Sequence, residues 1–186
     1  MIAVALDPRV LRMAVAGRGK PALRRFLALR AGGAAGALLF SDQPDDTAER
    51  EAGDKLRRGL PTETDLAALR LLWIAGLPDA PAAELASLAR TQGVLVNVED
   101  RPALCDFHSV AEVRRGELLL TVSTGGASPG LAARIRARLA DQYGPEWAER
   151  TVLLRRKRAA WRQDNKAPAE LAALTDALLH ANGWMA

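Results

Sequence analysis

Apolar runs alternate with helical patterns through the first hundred residues, and no other feature constrains the fold as strongly. Four runs have the length and apolar continuity of buried strands: 11–16, 37–40, 69–75 and 94–98. Strands that alternate with helices form a parallel sheet with right-handed crossovers. The sequence therefore predicts an α/β fold for this part of the chain. Residues 43–64, which are polar and charged, are expected to form a helix of modest quality with loops.

The first apolar run leads into a glycine turn, Gly17-Arg18-Gly19-Lys20-Pro21-Ala22, and then into a helical pattern. The spacing Gly-x-Gly-x-x-Ala in this context is typical of dinucleotide binding. The first glycine makes the turn, the second lets the backbone approach a pyrophosphate, and the small third residue packs helix on strand. The pyrophosphate would lie on the helix N-terminus. The alternative is a tight turn between strand and helix that binds nothing.

The second run ends at Ser41 and Asp42, and Asp42 lies twenty residues after Ala22. At this distance a Rossmann unit carries the acid that bonds the adenosine ribose hydroxyls, and such an acid favours NAD over NADP. Alternatively, Asp42 only begins a polar loop. Arg18 and Lys20 would also suit a ligand that carries phosphate.

The fourth run ends at Glu99 and Asp100. Open α/β sheets bind their ligands beyond the carboxyl ends of the strands. The carboxylate of Asp100 is therefore the first candidate for a functional side chain.

A Gly-rich loop, Ser123-Thr124-Gly125-Gly126-Ala127-Ser128, follows a further apolar run at 117–122 and precedes a helical pattern. Ser128 is a natural N-cap and Pro129 a natural first helical residue. Hydroxyls and backbone N–H groups of the loop could hold a carboxylate. Between the two candidates, 104–113 is short and mixed, and Arg114-Arg115-Gly116 is expected to form a basic turn.

The remainder, 141–186, is predicted to be helical. The basic run 155–158 is interpreted as a solvated helix face, and 171–179 as an amphipathic helix that needs a partner surface.

Composition narrows the class of protein. The one cysteine, Cys105, allows no internal disulfide and no metal cluster, so a cytoplasmic protein without a permanent metal site is expected. The N-terminus does not resemble a secretory signal, and no apolar run is long enough to span a membrane. The net charge of +4 suits an anionic partner, but aromatic residues are only 4%, which disfavours a nucleic-acid binder that stacks bases.

Three stretches together resemble the NAD-binding module of siroheme synthases, which is also found alone as precorrin-2 dehydrogenase. They are Val15-Ala16-Gly17-Arg18-Gly19-Lys20-Pro21-Ala22-Leu23-Arg24-Arg25, Val96-Asn97-Val98-Glu99-Asp100-Arg101-Pro102 with Leu104-Cys105-Asp106-Phe107, and Val122-Ser123-Thr124-Gly125-Gly126-Ala127-Ser128-Pro129. The resemblance implies a Rossmann domain (1–101), a dimerisation segment (102–143) and a small helical domain (144–186). It also implies a homodimer of entwined subunits with the active site between domains.

The resemblance further implies NAD-dependent oxidation of the tetrapyrrole precorrin-2 to sirohydrochlorin, for siroheme or cobalamin. In bifunctional members it implies insertion of Fe²⁺, as a substrate, into sirohydrochlorin. Asp100 would be the catalytic residue. The NAD contacts would be Gly17, Arg18, Gly19, Lys20, Pro21, Ser41 and Asp42. The tetrapyrrole site would involve Ser123, Thr124, Gly125, Gly126, Ser128 and His108.

The sequence departs from the family pattern in three places. Arg18 replaces the middle glycine of the commoner Gly-Gly-Gly. Gly76-Leu77-Pro78-Asp79 stands where an Ala-Thr-Asp run is usual, at the nicotinamide side. His108-Ser109-Val110 replaces Ile-Phe-Pro near the substrate.

Two other classes of function remain open on the sequence alone. One is a Rossmann-type regulatory module that binds a nucleotide without chemistry. The other is a nucleic-acid binder that uses the basic run 155–158, and its positive charge is the only feature that supports this alternative.

Overall fold

The structure is a computed structural model that describes residues 2–185. The described chain forms two compact units, one up to Ser109 and one from Val110 onward.

The first unit holds nine regular elements and two short 3-10 turns. The strands are β1 (Met13–Gly17), β2 (Leu38–Ser41), β3 (Leu56–Arg58), β4 (Leu71–Ala75) and β5 (Leu95–Val98). The helices are α1 (Gly19–Ala31), α2 (Asp46–Ala52), α3 (Glu63–Ala67) and α4 (Asp79–Thr91), and the 3-10 turns are Gly53–Lys55 and Pro102–Leu104.

The five strands form one sheet in the order β3-β2-β1-β4-β5, and every neighbouring pair is parallel. This is the strand order of the first five strands of a Rossmann fold. The predicted α/β fold with a parallel sheet is confirmed.

The sheet has one strand more than the four that the sequence predicts. Within 43–64, where a helix with loops is expected, Leu56–Arg58 pairs with β2 as an edge strand. It has three residues and no apolar run, and Arg57 and Arg58 are exposed. Charged side chains are common on edge strands because they discourage pairing with other chains. Backbone pairing, rather than side-chain pattern, defines this strand, so hydrophobic periodicity misses it.

Both faces of the sheet are covered by helices. In β1, Ala14 and Ala16 belong to a core with α4, whereas Met13 and Val15 belong to a core with α1. All residues of β1 and β4 are buried. Successive side chains of a strand point to opposite faces, so a strand buried on both faces is apolar throughout. These two strands fix the carboxyl ends on which the site is built.

Side chains replace a sixth strand along the open edge of β5. The N–H groups of Val96 and Val98 point away from β4, and they donate to the Asp106 carboxylate (2.9 Å) and to the Cys105 sulfur (3.2 Å). The Asp106 N–H donates in turn to the Val96 carbonyl at 2.8 Å, and the Arg90 guanidinium donates to the Asp106 carboxylate at 3.0 Å. The segment that follows Asp100 is therefore anchored along β5.

Replacement of Asp106 by alanine is expected to destabilise the first unit by about 2 kcal/mol, because it leaves the Val96 N–H without its acceptor. Urea unfolding measures the change. The control is Glu84→Ala, which removes an exposed carboxylate of α4. If the Asp106 variant has the same free energy of unfolding as the Glu84 variant, the edge of β5 does not need this hydrogen bond.

The second unit contains an antiparallel hairpin and three helices. Strands β6 (Ala111–Arg115) and β7 (Leu118–Val122) pair around Gly116, and α5 (Pro129–Gln142), α6 (Trp147–Gln163) and α7 (Pro168–Ala181) follow. The helical prediction for the C-terminal part is confirmed. Arg155, Arg156, Lys157 and Arg158 are exposed on α6, as interpreted from the sequence.

The predicted basic turn at 114–116 is wrong. Arg114 and Arg115 belong to β6, and only Gly116 and Glu117 connect the strands. The Arg115 guanidinium donates to the carbonyls of Ala140 (3.1 Å) and Tyr143 (2.8 Å). These carbonyls lie at the end of α5, where carbonyls lack helical partners, so a charge that resembles a turn signal in sequence serves to cap a helix.

Among the helices that the structure describes, none is long and apolar enough to cross a membrane.

Candidate functional site

Most of the predicted site residues lie at one edge of the parallel sheet. The carboxyl ends of β1, β2 and β5 carry the glycine turn (17–21), Ser41 with Asp42, and Asp100 respectively. Register places Ala16, Ile74 and Val98 in one row across β1, β4 and β5. Strands are about 4.8 Å apart, so the backbones that lead to the glycine turn and to Asp100 are separated by two such spacings, about 10 Å.

The glycine turn interlocks with the turn that follows β4. A Cβ on Gly17 would lie 1.7 Å from the Ala75 carbonyl oxygen, which also accepts the Arg18 N–H at 3.2 Å. A Cβ on Gly76 would lie 2.2 Å from the Arg18 carbonyl oxygen, and Gly76 has φ +70°. Glycine is thus required on both sides of the contact. The sequence indicates Gly17 through its motif, but it gives no sign that Gly76 supports the same turn.

The N-terminus of α1 offers backbone N–H groups to an anion. The helix begins at Gly19, whose φ of +59° is one that glycine adopts without cost. No side chain caps this end, and its first turn holds no acid. Lys20, which is exposed, adds a positive charge there. Unpaired N–H groups and the helix dipole favour a phosphate at this position.

Asp42 and Arg18 form a bidentate ion pair across the ends of β2 and β1. Arg18 Nε donates to Asp42 Oδ1 at 2.8 Å, and Arg18 Nη2 donates to Asp42 Oδ2 at 2.6 Å. These hydrogen bonds hold the pKa of Asp42 below its usual range and raise the pKa of Arg18. Ser41, which is buried, accepts the Gly59 N–H with its carbonyl at 2.8 Å. The acid expected at the ribose therefore has a guanidinium partner.

Asp100 lies in a tight turn with its carboxylate exposed. The Arg101 N–H donates to the Val98 carbonyl at 3.2 Å, and Asp100 has φ +59°. Such a φ is uncommon outside glycine, although Asp and Asn tolerate it better than other residues. The Cys105 sulfur lies 3.2 Å from the Val98 carbonyl oxygen and 3.3 Å from the Arg101 carbonyl oxygen, so it contacts both ends of the turn.

Both neighbours of Asp100 are tied to helices. The Glu99 carboxylate accepts from Arg24 of α1 at 2.6 Å. The Arg101 guanidinium donates to the Leu77 carbonyl at 3.1 Å and to the Asp79 carboxylate at the start of α4. Asp100 itself makes no hydrogen bond or ion pair with any residue in 2–185. Its carboxylate is consequently held in place by its neighbours and is free to act. None of these long-range ties can be found in the sequence.

The Ser123–Ser128 loop belongs to the second unit. The Thr124 hydroxyl donates to the Ser128 carbonyl and accepts the Ser128 N–H, both at 3.1 Å, and this exchange closes the loop. Ser128 caps α5 by accepting the Leu131 N–H at 3.2 Å, as predicted. Ser123, Gly125 and Gly126 are exposed. The hydroxyl of Thr124 is thus occupied internally, and the exposed part of the loop is what a ligand would meet.

His108 is exposed between two anchored neighbours. Phe107 packs edge-on against Trp73 with ring centroids 4.9 Å apart, and the Ser109 hydroxyl accepts from Trp73 Nε1 at 2.9 Å. Within residues 2–185, no group of three or more His, Cys, Asp or Glu side chains is arranged to hold a metal ion.

Comparison with known proteins identifies the family. A family model described as "Putative NAD(P)-binding" matches residues 4–111, more than half of the chain. A second model, described as "Sirohaem biosynthesis protein central", matches residues 115–142. The chain belongs to the NAD-binding siroheme synthase family. The resemblance found in the sequence is confirmed.

Two of its relatives are siroheme synthases. The one from Methylococcus capsulatus is 38% identical over 136 residues, which are 72% of this chain and 29% of the relative. The one from Pseudomonas fluorescens SBW25 is 36% identical over 152 residues, 80% of this chain and 32% of the relative. The chain thus spans about a third of the length of these relatives.

A solved structure shows the same fold. SirC, a precorrin-2 dehydrogenase, matches with a TM-score of 0.75 and 24% identity over 96% of this chain and 89% of its own.

The residues at the sheet edge fit NAD, the cofactor predicted from the sequence, and the family model that matches this part of the chain is described as NAD(P)-binding. The backbone at Gly17 leaves no room for a Cβ, and the N-terminus of α1 is open to a pyrophosphate. Asp42 ends β2, where an acid meets the adenosine ribose. When bound, NAD supplies the acceptor for a hydride.

Proposed function

We propose that the chain catalyses the NAD-dependent oxidation of precorrin-2 to sirohydrochlorin in siroheme biosynthesis. The observation that carries the proposal is the free, exposed carboxylate of Asp100 at the same sheet edge as the dinucleotide turn. Membership of the siroheme synthase family and the fold of SirC support it. A regulatory module that only binds a nucleotide would have no use for this carboxylate.

The proposed reaction removes one hydride and one proton from the macrocycle. Bound NAD⁺ would supply the hydride acceptor, and the Asp100 carboxylate accepts the proton. Because Asp100 has no partner in the described chain, its oxygens need not leave a protein ligand before they accept it. The ties of Glu99 and Arg101 keep the carboxylate in position during the transfer.

The proposed substrate is a polycarboxylate, and a chain with a net charge of +4 is a suitable host. We assign its carboxylates to the exposed part of the Ser123–Ser128 loop, where Ser123 and backbone N–H groups can donate, and to His108. Their exposure supports these assignments.

Insertion of Fe²⁺ into sirohydrochlorin is a second proposed activity, with the metal as substrate. Metal entry displaces the pyrrole protons, and an unpaired carboxylate such as Asp100 can accept them. The names of the siroheme synthase relatives support this step.

A homodimer is also proposed, with 102–143 as its dimerisation segment and 144–186 as the small helical domain. Large apolar side chains of the second unit are exposed, with Leu131 at 51% and Val110 at 40%. Apolar side chains of this size favour burial against a partner. Location in the cytoplasm stays a prediction.

Conversion of enzymatically generated precorrin-2, followed by absorption with and without NAD⁺, tests the function. We expect sirohydrochlorin to form only when NAD⁺ is present. Absence of NAD⁺-dependent conversion would exclude the proposed enzymatic activity and favour the regulatory module. Addition of Fe²⁺ or Co²⁺ to sirohydrochlorin in the same cuvette then tests chelation, which we expect to consume the free macrocycle.

A further inference from the structure

The ion pair between Arg18 and Asp42 changes the electrostatics of the position that selects the cofactor. An acid at the end of β2 selects NAD in two ways, because it accepts the ribose hydroxyls and repels the 2′-phosphate of NADP. Here the Arg18 guanidinium donates a hydrogen bond to each carboxylate oxygen of Asp42, at 2.8 Å to Oδ1 and 2.6 Å to Oδ2. The two side chains are 28% and 31% exposed, so solvent reaches the pair. The repulsion that an isolated Asp42 would exert is largely cancelled.

The pair keeps hydrogen-bonding capacity toward both cofactors. A carboxylate offers about four lone-pair directions, and Arg18 uses one on each oxygen, so ribose hydroxyls can still donate to Asp42. A guanidinium has five N–H donors, and the bond to Asp42 uses two of them. The donors that remain are suited to a phosphate, which arginine binds through charge-assisted hydrogen bonds.

A second ion pair flanks the first. Arg58, at the end of β3, lies in register with Ser41 and pairs with Glu49 at 2.6 Å. The charges of these two ion pairs, Arg18 with Asp42 and Arg58 with Glu49, therefore cancel. Lys20 adds a positive charge at the start of α1. Asp45 and Asp46, which follow Asp42 in the chain, are acidic, so attraction of a 2′-phosphate to this edge depends on Arg18 and Lys20.

We propose that Arg18 sets the cofactor selectivity of this chain, so that the site accepts the 2′-phosphate of NADP as well as the free ribose of NAD. Arg18 acts on Asp42 by neutralising it and on the phosphate by donating to it. This inference rests on the dinucleotide site of the proposed function and not on the identity of the tetrapyrrole.

Binding of NADH and NADPH to the full chain, followed by the fluorescence of the reduced nicotinamide without any tetrapyrrole, tests the proposal. We expect the Kd values of the two cofactors in the unmodified chain to differ by less than about tenfold. Arg18→Ala should raise the ratio of Kd for NADPH to Kd for NADH by about ten- to a hundredfold, the effect of one charge-assisted interaction. Arg18→Lys, which keeps the charge but not the fork, should raise it less.

Two further variants complete the test. Asp42→Asn should shift the preference toward NADPH, because it removes the acid and leaves Arg18 in place. Arg50→Ala removes an arginine of α2 that is 67% exposed and should leave the ratio unchanged. If Arg18→Ala still binds NADH and the ratio of the two Kd values does not change, the selectivity role of Arg18 is overturned, whereas the proposed function is not affected. Failure of the unmodified chain to bind either cofactor overturns it together with the proposed function.

Discussion

Replacement of Asp100 by asparagine will lower kcat for precorrin-2 oxidation by about 10²- to 10⁴-fold, the usual contribution of a positioned general base. The Kd for NAD⁺ will stay nearly unchanged, because Asp100 follows β5 whereas the dinucleotide turn follows β1, with β4 between them. Steady-state turnover and direct titration of the cofactor measure the two effects. Asparagine is the informative substitution because it tolerates the φ of +59° and cannot accept the proton.

Two companion variants separate chemistry from structure. Asp100→Ala should lose turnover to a similar extent, with an added loss of stability because alanine is strained at this φ. Asp46→Asn removes another exposed carboxylate of the same unit and should leave turnover unchanged. An Asp100→Asn enzyme that turns over at the normal rate would contradict the assignment, even if NAD-dependent conversion by the unmodified chain had been established.

The sequence predicts the central part of the fold because its signals are local. Continuous apolar runs identify β1 and β4, whose residues are all buried, and the glycine spacing identifies the turn between β1 and α1. The strand β3 escapes prediction because its backbone pairing leaves no apolar pattern in Leu56–Arg58. The hairpin strand β6 escapes for a similar reason, since arginine occupies its end to reach the carbonyls of α5.

The candidate site divides in the same way. The motif indicates Gly17 and Asp42, and the end of an apolar run indicates Asp100. What surrounds them depends on pairs far apart in the chain, such as Arg18 with Asp42, which are 24 positions apart, and Arg24 with Glu99, which are 75 apart. A single sequence contains no record of which charges meet. The role of Gly76 is likewise visible only once β1 and β4 are paired.

The turn at Gly76 connects the dinucleotide turn with the turn that holds Asp100. It contacts the dinucleotide turn, because a Cβ on Gly76 would lie 2.2 Å from the Arg18 carbonyl oxygen. The next residue, Leu77, accepts a hydrogen bond from Arg101, which flanks Asp100. The Gly76–Asp79 segment, where the sequence departs from the family pattern, thus supports both the dinucleotide turn and the turn that holds Asp100.

Replacement of Gly76 by alanine should therefore destabilise the chain and weaken NAD binding together. Adoption of φ +70° by a residue with a Cβ costs about 1–2 kcal/mol. Displacement of the Arg18 backbone by the new methyl group adds about 1–3 kcal/mol, as for other overpacked sites. Because Arg18 precedes the first residue of α1, this displacement also moves the N–H groups that receive the pyrophosphate. Urea unfolding and titration with NADH measure the two losses.

Gly93 provides a matched control, since its φ is +72° and a Cβ at this position would have no neighbouring atom within 4 Å. Gly93→Ala should carry the backbone cost alone, about 1–2 kcal/mol, and leave NADH affinity intact. The difference between the two variants then isolates the contact with Arg18 from the strain that both share. If Gly76→Ala binds NADH as tightly as Gly93→Ala does, the interlock between the two turns does not shape the cofactor site. The shape of the turn that receives the pyrophosphate would then depend on Gly17 and not on Gly76.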